Sequence, residues 1–128
     1  MNTRHLLESL ASNLQRIVPT GVTVIAADRY VVIDVKGTLD YLNVVDNIEM
    51  NVEIGHDEEA ACQIAVANKI GELQDILTEY TTWPWPPSHA LAPSEFASVN
   101  VELMSDGLHI WFGDGRNPVF PVIMIRLE

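Results

Sequence analysis

The stretch ASVNVELMSDGLHIWFG, residues 97–113, carries the clearest folding signal in the chain. Two runs of alternating apolar and polar residues flank Asp106-Gly107, a dipeptide typical of the tight type I′ turn that joins antiparallel strands. With a two-residue loop at that dipeptide, Leu103 faces Ile110, and the apolar residues of both strands share one face. The sequence therefore predicts an antiparallel hairpin with an apolar inner side.

The segment after this hairpin predicts one more strand, VFPVIMIRL at residues 119–127. Apolar residues occupy both of its faces, and Pro121 cannot donate a ladder hydrogen bond, so the strand should begin at an edge or a bulge. On the outer side of the sheet, away from the helices, the pattern predicts an apolar patch formed by Met104, Trp111, Phe120, Val122 and Met124. Such a patch needs a cover, either another part of the chain or a second copy of the same face.

One candidate for that cover is TTWPWPPSHALAPSE, residues 81–95, which holds two of the three tryptophans and four of the seven prolines. Long loops are generally functional, packed or disordered, and tryptophans argue against disorder. We expect Trp83 and Trp85 to shield the outer sheet face around Trp111. Two alternatives stay open: a loop that joins a dimer interface, and a mobile element that binds a partner. Because one loop is too small to cover the patch, the face is also expected to contribute to a homodimer.

The first part of the chain predicts a helix and a hairpin. Apolar residues recur three and four positions apart over residues 6–18, as in an amphipathic helix, and Pro19 stops it. The β-branched runs VTVIAA and YVVIDV then predict a hairpin across residues 22–35, in which Val24 faces Ile33.

A third strand and a second helix are predicted next. NIEMNVEI, residues 47–54, alternates strictly, which predicts a half-buried strand with its isoleucines, methionine and valine on the buried side. Asp57 is placed to cap a helix whose first turn holds Glu58 and Glu59, where carboxylates favour the positive end of the helix dipole. The apolar stripe over residues 62–80 keeps helical spacing and predicts packing against a sheet.

These elements follow the order α-β-β-β-α-β-β-β, which predicts an α+β fold of the two-layer sandwich type: a mainly antiparallel sheet with helices on one face. The chain of 128 residues fits a single domain over residues 1–128. A composition of 48% hydrophobic against 20% charged residues is globular.

Composition also bears on the compartment. Cys62 is the only cysteine, so neither an internal disulfide nor a cysteine-based zinc site can form. No run of about 18 apolar residues occurs. We therefore expect a soluble cytoplasmic protein that does not associate with membranes.

The net charge of −11 is concentrated in residues 37–80, which hold one basic and ten acidic side chains. Such a field repels nucleic-acid phosphates and anionic membranes and attracts cationic partners. The carboxylates expected to meet a basic protein surface are Asp46, Glu49, Glu53, Asp57, Glu58 and Glu59. The alternative is that they serve only solubility.

No spacing in the sequence identifies a reaction centre. The four histidines lie on separate predicted elements, without an HxH, HExxH or Cys/His pattern, so no metal, cofactor or catalytic residue is assigned. His56 stands beside three acidic residues that could complete a ligand set, although a helix start needs those carboxylates for its own electrostatics. Glu102 and His109 could form an acid/base pair on the outer sheet face, or only a surface pair.

Three functions remain open. The first is a small, acidic, non-catalytic protein-interaction module that binds a protein partner and could neutralise or escort it. The second is a structural subunit that assembles through its apolar sheet face. The third is a small enzyme or ligand-binding domain with a pocket between the second helix and the sheet.

Overall fold

Helices and antiparallel strands are mixed along the chain in this computed structural model, which describes residues 1–87 and 97–127. The helices are α1 (Thr3–Gln15), α2 (Val44–Glu53) and α3 (Glu58–Thr81). The strands are β1 (Val22–Ala27), β2 (Tyr30–Val35), β3 (Thr38–Leu42), β4 (Val99–Met104), β5 (Gly107–Asp114), β6 (Asn117–Pro118) and β7 (Ile123–Ile125). The predicted α+β class is confirmed.

The strands are divided between two sheets instead of forming one. An N-terminal sheet has the order β1-β2-β3, and a C-terminal sheet has the order β4-β5-β6 with β7 also paired to β5. Helix α1 packs on β1, α3 packs on β4, and α2 packs on α3. Along the chain, α2 and α3 both lie between β3 and β4, the last strand of one sheet and the first strand of the other.

One hydrophobic core joins the helices to the inner faces of both sheets. Its members are apolar side chains contributed at helical spacing by α1 and α3 and at alternate positions by the strands. The largest fully buried ones include Leu6, Leu10, Leu14, Ile33, Ile70, Leu73, Leu77, Leu108, Ile110, Phe112 and Ile125.

The register of the N-terminal hairpin agrees with the sequence prediction. Val24 pairs with Ile33, and Val22 pairs with Val35. Asp28 begins the turn with a φ of 55°, a left-handed conformation that aspartate tolerates better than most residues. The loop therefore has the two residues that the pattern required.

The register of the C-terminal hairpin differs from the prediction by two residues. Leu103 pairs with Leu108 rather than Ile110, so the loop is Ser105-Asp106, and Gly107 is the first paired residue of β5. A Cβ atom at Gly107 would overlap the backbone oxygen of Ile125, and the φ of this glycine is +139°. Glycine at this position therefore allows both the close approach of β7 and a backbone conformation that other residues rarely adopt. A shift of two residues keeps every side chain on its predicted face.

The predicted strand over residues 47–54 is wrong, because this segment lies mostly in helix α2. Asn43 caps the helix by accepting a hydrogen bond from the Asp46 amide at 3.0 Å. Buried residues recur at Val44, Val45 and Ile48, a helical spacing that lets α2 pack on α3. The third strand is β3 instead.

Helix α3 begins as predicted, with Asp57 accepting a hydrogen bond from the Ala60 amide at 2.8 Å. The helix buries Cys62 completely. Burial, followed by the nearby carboxylates of Glu58 and Glu59, raises the pKa of the Cys62 thiol to about 12. Since the thiolate is the reactive form, the folded protein holds this cysteine inert.

Ellman's reagent should therefore react with Cys62 at least ~100-fold more slowly in the native protein than in urea-unfolded chain. Absorbance of the released thionitrobenzoate measures both rates, and the unfolded chain is the internal control. Similar rates in both conditions would contradict the burial of Cys62.

Candidate functional site

The two tryptophans after α3 lie in opposite environments. Trp85 is 5% exposed, and its ring packs against Phe112 and Phe120 at centroid distances of 5.8 and 6.0 Å. Trp83 is 63% exposed. Because Phe112 belongs to the inner face, Trp85 extends the core. The prediction that Trp85 shields the outer face around Trp111 is therefore wrong. Residues 88–95 of the predicted cover lie outside the described residues.

Gln74 of α3 bonds the backbone at Trp85 and, after residues 88–96, at Ala97 and Val99. Its buried amide donates to the Ala97 oxygen at 2.7 Å and to the Trp85 oxygen at 3.4 Å, and it accepts from the Val99 amide at 3.3 Å. The Trp85 amide donates to the Thr78 hydroxyl at 3.0 Å. This part of the segment is a packed structural element.

The outer face of the C-terminal sheet is partly open. Of the five residues in the predicted patch, Met104, Val122 and Met124 are 40–47% exposed. Phe120 instead packs beside Trp85, and Trp111 lies partly buried against Gly115. Met104 and Met124 lie on β4 and β7, on either side of β5, so the exposed residues of the predicted patch are spread over the sheet.

The predicted Glu102–His109 acid/base pair is affected by a second carboxylate, that of Asp106, which contacts His109. Both residues lie opposite each other in the β4–β5 register, but His109 Nε2 is 2.7 Å from a carboxylate oxygen of Asp106. This contact lowers the pKa of the Asp106 carboxyl. The ring of His109 therefore hydrogen-bonds Asp106 in the hairpin loop and not Glu102.

Four of the six predicted partner-binding carboxylates already hold local structure together. Asp46 and Glu49 both pair with Arg29, the latter at 2.8 Å. Arg29, followed by Asn43, lowers the pKa of the Asp46 carboxyl. Asp57 caps α3, and Glu58 lies 3.2 Å from the amino group of Met1. Glu53 and Glu59 form no ion pair within residues 1–87 and 97–127.

Three large apolar side chains are exposed in the segment that holds Glu49 and Glu53. Met50, Val52 and Ile54 are 53%, 44% and 71% exposed. Together with Glu49 and Glu53 they make up what we term the α2 surface, in which Met50 and Val52, two positions apart on the helix, point to different sides. A strand over these residues would have buried Met50, Val52 and Ile54. The helix instead buries Ile48 and Asn51 and leaves the other three side chains exposed. Sequence reasoning missed this site because it assigned the wrong period.

An apolar groove of about 310 Å³ adjoins the α2 surface. It lies between the start of the chain, α2 and the start of α3, and is lined by Met1, Thr3, Val45, Ile48, Glu49, Val52 and Glu58. Apolar side chains supply most of its lining, and two carboxylates supply its charge. An aliphatic stem with a cationic head matches this chemistry.

A second depression, of about 440 Å³, lies between the start of α3 and the β4–β5 turn. It is more polar, and its lining includes Glu59, Asp106 and Arg126. In the part of the chain that the structure describes, no three histidine, cysteine or acidic side chains are grouped as metal ligands would be. No helix of that part has both the length and the apolar character needed to cross a bilayer.

No family model, curated protein or solved structure matched this chain when it was compared with them. Its function is therefore inferred from the surfaces described above.

Proposed function

We propose that this chain is a non-catalytic protein-interaction module that binds a basic protein surface through the α2 surface. The observation that carries the proposal is the exposure of Met50, Val52 and Ile54 on and just after one short helix, among carboxylates. Exposed apolar patches rimmed by polar residues mark interaction sites, because water is released when a partner covers them. Protein interfaces usually have an apolar centre that becomes buried on binding and a polar rim that stays exposed to solvent.

Charge supports a cationic partner. The protein carries a net charge of −11, and the field of its acidic middle attracts basic surfaces during diffusional encounter. Arg29 already compensates part of the charge of Asp46 and Glu49. Glu53 is therefore the carboxylate of the α2 surface best able to meet an incoming lysine or arginine. A reducing compartment, the cytoplasm, suits a protein whose only cysteine is a buried thiol.

A structural subunit is the second candidate, and the open outer face of the C-terminal sheet favours it. Met104, Val122 and Met124 would be covered if two copies met through this face as a homodimer. The two candidates use different surfaces, so variants can separate them.

Partner capture from the native cell, quantified by mass spectrometry, tests the proposal. We expect a Met50→Ser, Ile54→Ser variant to lose a stoichiometric partner by at least about tenfold, since exposed apolar anchors contribute to binding and little to folding. The matched control is Val122→Ser, Met124→Ser, which removes similar exposed side chains from the other surface and should retain the partner. The reverse pattern would favour the structural subunit, and equal capture by all three proteins would contradict the proposal.

Association kinetics with the captured partner test the charge. Glu53→Lys should slow association at low salt and flatten its salt dependence, because rim charges act mainly on the association rate. Glu79→Lys makes the same change of charge at the exposed far end of α3 and should have a smaller effect. Equal slowing by both variants would show that only net charge matters.

A further inference from the structure

The side chain of Gln15 covers part of the outer edge of β1. A strand at a sheet edge exposes backbone donors and acceptors that can pair with another chain. Gln15 of α1 donates to the Val22 oxygen at 3.0 Å and accepts from the Val24 amide at 2.6 Å. The edge of β1 is therefore already occupied.

The edges of the C-terminal sheet are also protected. Along β4, Gln63 donates to the Val101 oxygen at 3.0 Å, and Gln74 accepts from the Val99 amide at 3.3 Å. On the opposite side, β7 has three residues and follows Pro121 closely, so it offers little edge. Neither strand is suited to pair with another chain.

Strand β3 differs, and the pairing pattern shows which of its groups face outward. Because the Val24 amide points to Gln15, Val24 and Ile33 are not a hydrogen-bonded pair, and Ile33 directs its backbone groups toward β3. Ile33 and Asp40 are then a hydrogen-bonded pair, since such pairs alternate in antiparallel ladders. Leu39 and Tyr41 consequently direct their N–H and C=O groups away from β2.

The side chains next to this outer edge of β3 are exposed. The side chains of Leu39 and Tyr41 are 48% and 58% exposed on the outer face of the N-terminal sheet. Among the residues that the structure describes, no hydrogen bond reaches their outward backbone groups, in contrast to the four hydrogen bonds that three glutamines form with β1 and β4. Asp40 lies between them in the chain but on the opposite face of the sheet, with Ile33; it is partly buried and forms no ion pair within the described residues.

We propose that β3 binds an extended segment of the partner as an added antiparallel strand, with apolar residues opposite Leu39 and Tyr41 and a lysine or arginine opposite Asp40. Backbone hydrogen bonds hold such a strand, and the alternate side chains select it. A residue opposite Asp40 lies in a non-hydrogen-bonded pair, where side chains are close and opposite charges attract. The inference rests on the proposed function, because it specifies a segment of the same partner.

The charge of Asp40 decides against a second copy as the occupant. If two β3 strands overlapped fully, Leu39 would face Tyr41 of the other copy, but Asp40 would face Asp40 directly. Like charges at that separation disfavour pairing, whereas a basic residue in the same place favours it. The partner is therefore expected to supply an alternating apolar and basic sequence.

Two synthetic peptides of about nine residues, long enough to span β3, test the proposal on the whole ¹⁵N-labelled protein. One alternates valine with lysine, and the other replaces each lysine by glutamate. The lysine peptide should slow amide hydrogen exchange at Leu39 and Tyr41 by at least about tenfold, and the glutamate peptide should not. Absence of protection at both amides, or equal protection by both peptides, would overturn the proposal.

Variants separate edge binding from general attraction to an acidic protein. Leu39→Pro removes the outward N–H but no donor of the β2–β3 ladder, so it should weaken lysine-peptide binding by about tenfold relative to Leu39→Thr, which keeps the donor. Circular dichroism checks that both fold. Asp40→Asn, which preserves shape, should also weaken binding. Equal binding by Leu39→Pro and Leu39→Thr, or unchanged binding by Asp40→Asn, would overturn the proposal.

Self-pairing has its own signature. Protection of Leu39 and Tyr41 that grows with protein concentration in the absence of peptide, and that Asp40→Asn strengthens, would show that a second copy occupies the edge and would also overturn the proposal. Failure of the peptide experiments would leave the capture result at Met50 and Ile54 unaffected. Failure at those two residues would not change protection at β3.

Discussion

Replacement of Trp85 by alanine is expected to lower the free energy of unfolding by about 3–5 kcal/mol, as truncations of buried tryptophans do. The indole is 5% exposed and completes a cluster with Phe112 and Phe120, whose own rings lie 5.8 Å apart. Its removal leaves a cavity at the end of the core that the backbone cannot close, because Gln74 and Thr78 hold the segment in place. Urea unfolding followed by fluorescence measures the change.

Trp83→Ala is the matched control, with the same side chain two residues earlier. Since Trp83 is 63% exposed, its removal should change the free energy of unfolding by only about 0.5 kcal/mol or less. Similar losses for the two variants would mean that the two tryptophans act as one structural unit. Loss of partner capture by Trp83→Ala, without loss of stability, would instead add this side chain to the binding surface.

Gln74→Leu should lower the free energy of unfolding by about 2–4 kcal/mol. Gln74 is 4% exposed and hydrogen-bonds three backbone groups in total: one at Trp85, and two at Ala97 and Val99. Leucine has a similar size but would leave an amide and two carbonyl oxygens without partners in a buried site. Chemical unfolding at equilibrium measures the loss.

Gln63→Leu supplies the comparison, because Gln63 contacts a single oxygen in a partly buried place. We expect a cost of about 1 kcal/mol or less for that variant. If both variants lose the same free energy of unfolding, the burial of Gln74 does not explain the contribution of its hydrogen bonds to stability. Because Gln63 and Gln74 both cover the edge of β4, peptide binding by Gln63→Leu would also reveal whether an uncovered edge suffices to recruit a strand.

The two proposed binding regions differ in the chemistry that they recognise. The α2 surface offers exposed aliphatic side chains and carboxylates, which recognise side chains. The β3 edge offers backbone groups, which recognise an extended conformation. A partner with a basic surface and an adjoining extended segment would use both, and their effects on affinity would then multiply through effective concentration.

The sequence by itself determined those elements whose signals are complete within a few residues. The β1–β2 register follows from two β-branched runs and a two-residue loop, and α3 follows from an Asp57 cap and an apolar stripe. These predictions succeeded because backbone geometry and side-chain period are local properties. The acidic concentration that suggests the partner's charge was also readable from composition.

Tertiary structure decided the places where local signals conflict or are silent. Residues 44–54 satisfy both a strand period and a helix period, and packing of α2 on α3 selects the helix, which exposes Met50, Val52 and Ile54. The C-terminal hairpin takes a register two residues away from the one that Asp106-Gly107 predicts, and this register places Gly107 against the backbone of Ile125. Trp83 and Trp85 occupy equivalent Trp-Pro contexts, yet only Trp85 meets Phe112 and Phe120, residues far along the chain. Burial depends on such distant partners, and no local pattern contains them.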